Sequence, residues 1–222
     1  MIVVVGSPAG RQTAQGIAAA GVAATVGRVA AAAGAEVQLV GKVGEGTVGD
    51  AVLLSLAQAS VGHVAVLRDA SSATPIAPLD GLDAEAMLEP IDGDAGTEER
   101  PPASAETAVI PTLDSGDLQL ALRYLPDYRV VVVADPLGAD ALATVVAAGR
   151  WAGAQLIVVV AAGSSVPGLP DDATVLEAPR VDAEGAFAAV VGAYAAALDR
   201  GANPAEAFAT ASVGSGWAAV TD

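Results

Sequence analysis

The run VDAEGAFAAVVGAYAAALDRG, residues 181–201, decides how this chain is read. A glycine at 185 opens a helix, and from Ala188 to Leu198 that helix is apolar on nearly every side, so it belongs deep inside a domain rather than on its surface. A helix start also presents unpaired N–H groups and the positive end of the peptide dipoles, which is where an anion can be held. Asp182, Gly185, Ala186 and Phe187 are the candidates for such an anion-binding turn. A carboxylate at the helix start would complete a phosphate-handling site, and the residue there is Ala188.

A helix buried on all sides needs a layer to pack against. Short Val/Ile-rich runs of strand length recur at 2–5, 37–40, 64–67, 130–133 and 156–160. Few of them alternate polar with apolar residues, the pattern of strands covered on both faces in a parallel sheet. Ala/Leu-rich helical segments lie between and after them, at about 12–33, 51–60, 115–125, 138–152, 186–199 and 204–217. Alternating strand and helix signals specify an α/β fold, a doubly wound, mostly parallel sheet with helices on both faces.

Helix boundaries are marked by their capping residues. Asp50 and Ser115 are placed as N-caps of the second and third helices, and Gly34 and Gly201 follow Ala-rich helices where a left-handed residue is wanted. Asn203, Pro204 and Glu206 read as N-cap, N1 and N3 of the last helix.

Composition narrows the function. The 222 residues are expected to form a single domain, and with no Cys and one His they offer no disulfide, no thiolate centre and no multi-His metal site. A formal charge of −16 argues against nucleic acid and anionic membranes as partners, because both recruit clustered Lys and Arg. The opening MIVVVGSPAG lacks a basic leader region, and no apolar run reaches the roughly 20 residues that cross a bilayer, so a cytoplasmic protein is expected. Eleven acids and one base fall between Asp69 and Asp114, with six of the thirteen prolines, so residues 69–114 read as an acidic, solvated insert.

The glycine-rich loops carry less. GSPAGRQTAQG, residues 6–16, follows a strand but matches neither G-x-G-x-x-G nor G-x-x-x-x-G-K-[ST], and reads as a structural turn in which Arg11 is the only nearby cation. VGKVGEGTVGD, residues 40–50, holds four glycines and the sole lysine, Lys42, and reads as a tight strand-to-helix connection. His63 has no nucleophilic partner at any recognisable spacing and is taken as structural. No D-x-D-x-D-G spacing for a divalent cation occurs.

Together, IVVVGS, AAAAGAEVQLVGKVGEGTVGD, VGHVAVLRD, RVVVVADPLGADALATVVAAGRWAGAQLIVVV and the C-terminal forty residues resemble the ribokinase-like (PfkB) carbohydrate kinases, in that order along the chain. The resemblance implies that Asp182, Gly185 and Ala186 match a D-x-x-G-A-G-D motif. Phe187 then replaces its second glycine and Ala188 its catalytic Asp, the base that takes the proton from the attacking hydroxyl. It also implies a substrate side at Gly21, Lys42 and Gly44, with Thr25 in place of the family's Asn. The family's N-x-x-E pattern occurs only at Asn203–Glu206, where capping already explains it.

Two further departures follow from the resemblance. The family's sugar-binding Asp after the first strand is missing, and the few residues between Gly10 and the first helix leave the lid strands absent. The expectation is therefore a degenerate kinase-like protein with weak or no phosphotransferase activity, kept for binding a sugar or nucleotide or for protein interaction. A homo-oligomer is a further expectation, through the edge left without a lid. ATP and Mg enter as cofactors only with retained kinase activity, whose base would then be a non-standard carboxylate, Asp182 or Glu184.

Overall fold

A computed structural model of the chain describes residues 1–77, 109–180, 182 and 185–214. Most of residues 69–114 and the last eight residues lie outside that set, as do Val181, Ala183 and Glu184.

The strand β1 (Ile2–Val5) is the centre of the molecule, and all four of its side chains are fully buried. It pairs in parallel with β4 (Val37–Gly44) on one side and β6 (Val130–Val133) on the other, with Ile2 opposite both Val37 and Val130. β5 (Gly62–Asp69) extends the sheet beyond β4, while β7 (Gln155–Ala161) and β8 (Thr174–Ala178) extend it beyond β6. The order is β5-β4-β1-β6-β7-β8, and every pairing in it is parallel.

The chain thus builds outward from β1 in one direction and later from β6 in the other. Because crossovers keep one hand, that reversal puts the two sets of helices on opposite faces. Ile2, Val4, Leu39, Val130 and Ile157 point to a core shared with α1 (Val22–Ala32), α2 (Thr47–Gln58), α5 (Ala186–Asp199) and α6 (Pro204–Gly214). Val3, Val5, Val131, Val133 and Val158 point to the other core, with α3 (Ser115–Arg123) and α4 (Ala139–Ala152). The period of two along each strand divides one all-valine run between two cores. The doubly wound architecture is as the sequence specifies.

Two boundaries differ from the sequence reading. α2 starts four residues early, at a Gly46 with φ of +126°, so Asp50 lies in its first turn rather than capping it. α3 is capped by Asp114, not Ser115: Asp114 accepts from the Asp117 N–H at 2.8 Å while Asp117 accepts from the Asp114 N–H at 3.0 Å. Two neighbouring residues both had the chemistry for the cap, and a reciprocal pair of bonds selected the acid. Gly34 and Gly201 take the left-handed conformation as expected, and Asn203 caps α6 by accepting from Ala205.

A larger correction concerns residues 9–20. In place of the start of a helix at residue 12, and contrary to the absence of lid strands, β2 (Ala9–Thr13) and β3 (Gly16–Ala20) form an antiparallel hairpin in register from Ala9–Ala20 to Thr13–Gly16. Alanine favours a helix locally, but the hairpin is held from outside. Ala19 N–H donates to Ser55 Oγ of α2 at 2.9 Å, Gly10 N–H donates to Pro75 O at 2.8 Å, and Ala77 N–H donates to Gly10 O at 2.7 Å. Gly10 has no room for a side chain, since a Cβ there would come within 3.0 Å of Ile17 and Val48. Tertiary contacts override the propensity.

Helix α5 packs against α1 at Gly192, where a Cβ would lie 2.7 Å from Val26 O and 2.9 Å from Val29 Cβ. At the other side of the sheet's reversal, Asp135 follows β6 and accepts from the Ser7 N–H at 2.7 Å, joining the ends of β1 and β6. Burial pushes the Asp135 carboxyl up from its ordinary range, and the Ser7 bond opposes that only in part. Gly192→Val is expected to destabilise the fold by about 1–3 kcal/mol through overpacking, seen as a lowered midpoint in denaturant at unchanged slope. With its folded value above the unfolded one, Asp135 binds more protons in the native state, so its contribution weakens stability as pH rises through that window. Asp135→Asn, which keeps an acceptor for Ser7, is expected to flatten that part of the stability–pH curve and raise the melting temperature at neutral pH.

Candidate functional site

In open α/β sheets, ligands bind outside the carboxyl ends of the strands where the strand order reverses. Here that place lies beyond Val5 and Val133. Gly6 is compact against Asp135 and Ala23, and Gly41 against Gly6, where a Cβ would meet the Gly6 carbonyl at 2.5 Å, so the backbones close tightly behind the site. In front of them stands the β2–β3 hairpin.

Between the hairpin, α1 and the start of α5 lies a cavity of about 220 Å³. Arg11 and Thr13 reach it from β2, residues 18–20 from β3, Thr25 and Arg28 from α1, and Gly185 from the α5 turn. Thr25 and Arg28 are one turn apart on α1, which puts both on the face turned to the cavity. Gly185 is left-handed (φ +69°) and lies against Thr25, its Cβ position 3.5 Å from Thr25 Cγ2.

A larger hollow, about 950 Å³, lies between α3 and α4, walled in part by Leu125, Pro126, Asp127 and Tyr128. That loop enters β6, so the hollow sits at the amino ends of the strands, opposite the reversal point. Size alone does not make it the site; the smaller cavity has the position and the converging polar groups.

The turn before α5 is already occupied by the chain itself. Asp182 accepts from the Phe187 N–H at 3.0 Å through Oδ1 and from the Ala188 N–H at 3.2 Å through Oδ2, and its carbonyl accepts from the Gly185 N–H at 3.0 Å. A buried helix start leaves N–H groups that must be paired, and the Asp182 carboxylate pairs two of them. Both Asp182 oxygens are thereby directed at backbone donors. Ala188 and Phe187 are 2 % and 5 % exposed and belong to the core shared by α1, α5 and the sheet.

The remaining sequence candidates are placed as follows. Gly21 N-caps α1 with φ of +89°, next to the hairpin's closing pair. Lys42 makes an ion pair with Asp117 at 2.6 Å, and both side chains are largely buried. Gly44 packs on Ser72–Thr74 and donates its N–H to the buried Thr74 hydroxyl at 2.9 Å. Neither Lys42 nor Gly44 lines the cavity. Glu184 lies outside the described residues. His63 Nδ1 approaches the Val61 carbonyl at 3.3 Å at the start of β5.

Three residues at or beside the site were not singled out by sequence reasoning. Thr13 was hidden because its segment reads as helix. Arg28 was legible as the residue one turn after Thr25, and Asp135 as the first acid after the VVVV run of β6.

Among the described residues no three His, Cys, Asp or Glu side chains cluster to hold a metal. The Phe187 and Ala188 N–H groups face Asp182. Among the described residues, too, no helix is long and apolar enough to cross a membrane.

No family model matches the sequence, and no curated protein matches it. Solved structures do match in three dimensions. Aminoimidazole riboside kinase from Salmonella enterica, in complex with aminoimidazole riboside and an ATP analogue, is similar at 16% identity with a TM-score of 0.58, over 95% of this chain and 90% of that one. Ribokinase from Arabidopsis thaliana, in complex with ribose and ATP, is similar at 15% identity with a TM-score of 0.61, over 96% of this chain and 90% of that one. Those enzymes share the parallel sheet and helical layers described above, and the fold of this chain is that of the ribokinase-type carbohydrate kinases.

Proposed function

We propose that this chain is a ribokinase-like protein without effective phosphotransferase activity, serving to bind a small molecule or a protein partner in the cytoplasm. One observation supports the reading above others. The helix start that a kinase of this fold would turn toward a phosphoryl group is closed by Asp182, and the position matched to its base is a methyl group facing the core. Loss of a positioned general base lowers a rate by about 10²- to 10⁴-fold. Asp182 does not substitute for it, because both of its oxygens accept from the backbone.

The cavity itself survives, with walls from the hairpin and α1 and polar groups aimed into it. Two structural neighbours are in complex with ribose and ATP or with aminoimidazole riboside and an ATP analogue, which supports a small molecule as ligand here. The charge of −16 supports partners other than nucleic acid.

Purified protein incubated with ATP, Mg and a panel of sugars and nucleosides is expected to form no phosphorylated product above the uncatalysed background. Turnover that Asp182→Ala abolishes would overturn the proposal in favour of a kinase with a non-standard carboxylate. Ala188→Asp is expected to leave the assay unchanged and to cost stability on the order of several kcal/mol, because it buries a carboxyl in an apolar core.

A further inference from the structure

We infer that the hollow between α3 and α4 is a second binding site, for an amphipathic monocarboxylate whose head meets Arg123 and Tyr128 and whose apolar body lies on the alanine face of α4 beside Trp151. The hollow stands at the amino ends of the strands, away from the hairpin's cavity, and is independent of what that cavity holds. Tyr128 points to a ligand. Only 5% of the residue is exposed, it lines the hollow, and its hydroxyl has no hydrogen-bond partner among the described residues. A buried hydroxyl is normally paired, and the open space beside this one is where its partner would sit. Burial also pushes the Tyr128 phenol up from its ordinary range, which keeps it a neutral donor at working pH.

The rest of the lining divides into groups for a head and a surface for a body. Arg123 and Gln119 are one turn apart on α3, on the face turned to the hollow. Arg123 is exposed and has no hydrogen-bond or ion-pair partner among the described residues, and its planar fork donates two parallel bonds to a carboxylate. Asp127 is the acid of the described lining; it makes no ion pair with Arg123, and its charge disfavours a ligand with more than one negative charge. Across from them, Ala143, Ala147 and Ala148 recur on one face of α4 and form a flat apolar wall, with Trp151 one turn further on. Trp151 is 91% exposed, and an indole in water beside an alanine wall is a surface against which a ring or an acyl chain is driven out of water. The volume of about 950 Å³ lies at the upper end of the roughly 300–1,000 Å³ of small-molecule sites. One unpaired hydroxyl and one guanidinium in an otherwise largely apolar hollow serve a single head group.

The test is calorimetric titration of the full chain with decanoate, decanol, naphthoate and naphthalenemethanol. At least one carboxylate is expected to bind one-to-one and about tenfold more tightly than the alcohol with the same body, the worth of one charge-assisted pair of bonds. Decanoate against naphthoate separates an acyl body from an aromatic one. Arg123→Gln is expected to bring the carboxylate down to the alcohol's affinity at an unchanged melting temperature, since the side chain is exposed. Tyr128→Phe, which keeps the ring and removes the hydroxyl, is expected to weaken the carboxylate about two- to tenfold. Ala147→Trp, at an exposed position of the α4 wall, is expected to fill the hollow and abolish binding while the core stays as it is. A carboxylate no tighter than its alcohol, binding that is unchanged in Arg123→Gln or in Ala147→Trp, or no binding of any of the four would overturn the inference. So would a dimer in sedimentation that Trp151→Ser dissociates, since a second copy of the chain would then cover the hollow.

Discussion

The burial of helix α5 is the constraint from which the site follows. Nine of its fourteen residues are buried, and Gly192 lets it approach α1 closely enough that a single added carbon would collide with the Val26 carbonyl. A helix held this way cannot turn its first N–H groups to water. They must find acceptors inside the protein, and Asp182, placed five and six residues before its partners, is near enough to supply both oxygens. The same packing draws Phe187 and Ala188 into the core and leaves Gly185 facing the cavity. Closing the helix start therefore directs its first N–H groups inward, to Asp182.

The hairpin is the second determinant. Its strands, AGRQT and GIAAA, carry almost no β-branched side chains, and an isolated two-stranded ribbon of that composition has little to hold it. It persists because it is pinned on two sides, to Ser55 of α2 and to the 75–77 segment that follows β5. Small residues are what allow it to lie so near α2. Once it is there, Arg11 and Thr13 stand opposite Thr25 and Arg28, residues far apart in any local reading of the chain.

Charge is economised in the same architecture. Lys42, the one lysine, meets an Asp117 that also accepts from the Asp114 N–H, so a β4 side chain and a helix cap share a carboxylate. Backbone donation from Asp117 draws the Asp114 carboxyl below its ordinary range. Such a group serves the junction of α3 with the sheet, on the face away from the hairpin's cavity. A glycine-rich loop containing the only lysine looks like a ligand site in sequence, and its tightest glycines, Gly44 and Gly49, prove to be places where backbone meets backbone.

Much of the fold was open to reading from residues alone, because its signals are local. Runs of four or five consecutive apolar β-branched residues state both strand and double-sided burial, and β1 and β6 match their expected bounds to the residue. The breadth of the apolar surface of α5 likewise states its depth, and Ala188 is read directly. β8 (TVLEA) was missed because a short, half-buried edge strand carries neither a continuous apolar run nor a clear break. What only the tertiary structure decided was the hairpin, the Asp182 bonds and the placing of Arg11 and Arg28 on one cavity. Each depends on atoms brought together across the sheet's reversal, where packing and the need to pair buried N–H groups outweigh the few tenths of a kcal/mol by which one residue prefers a helix to a strand.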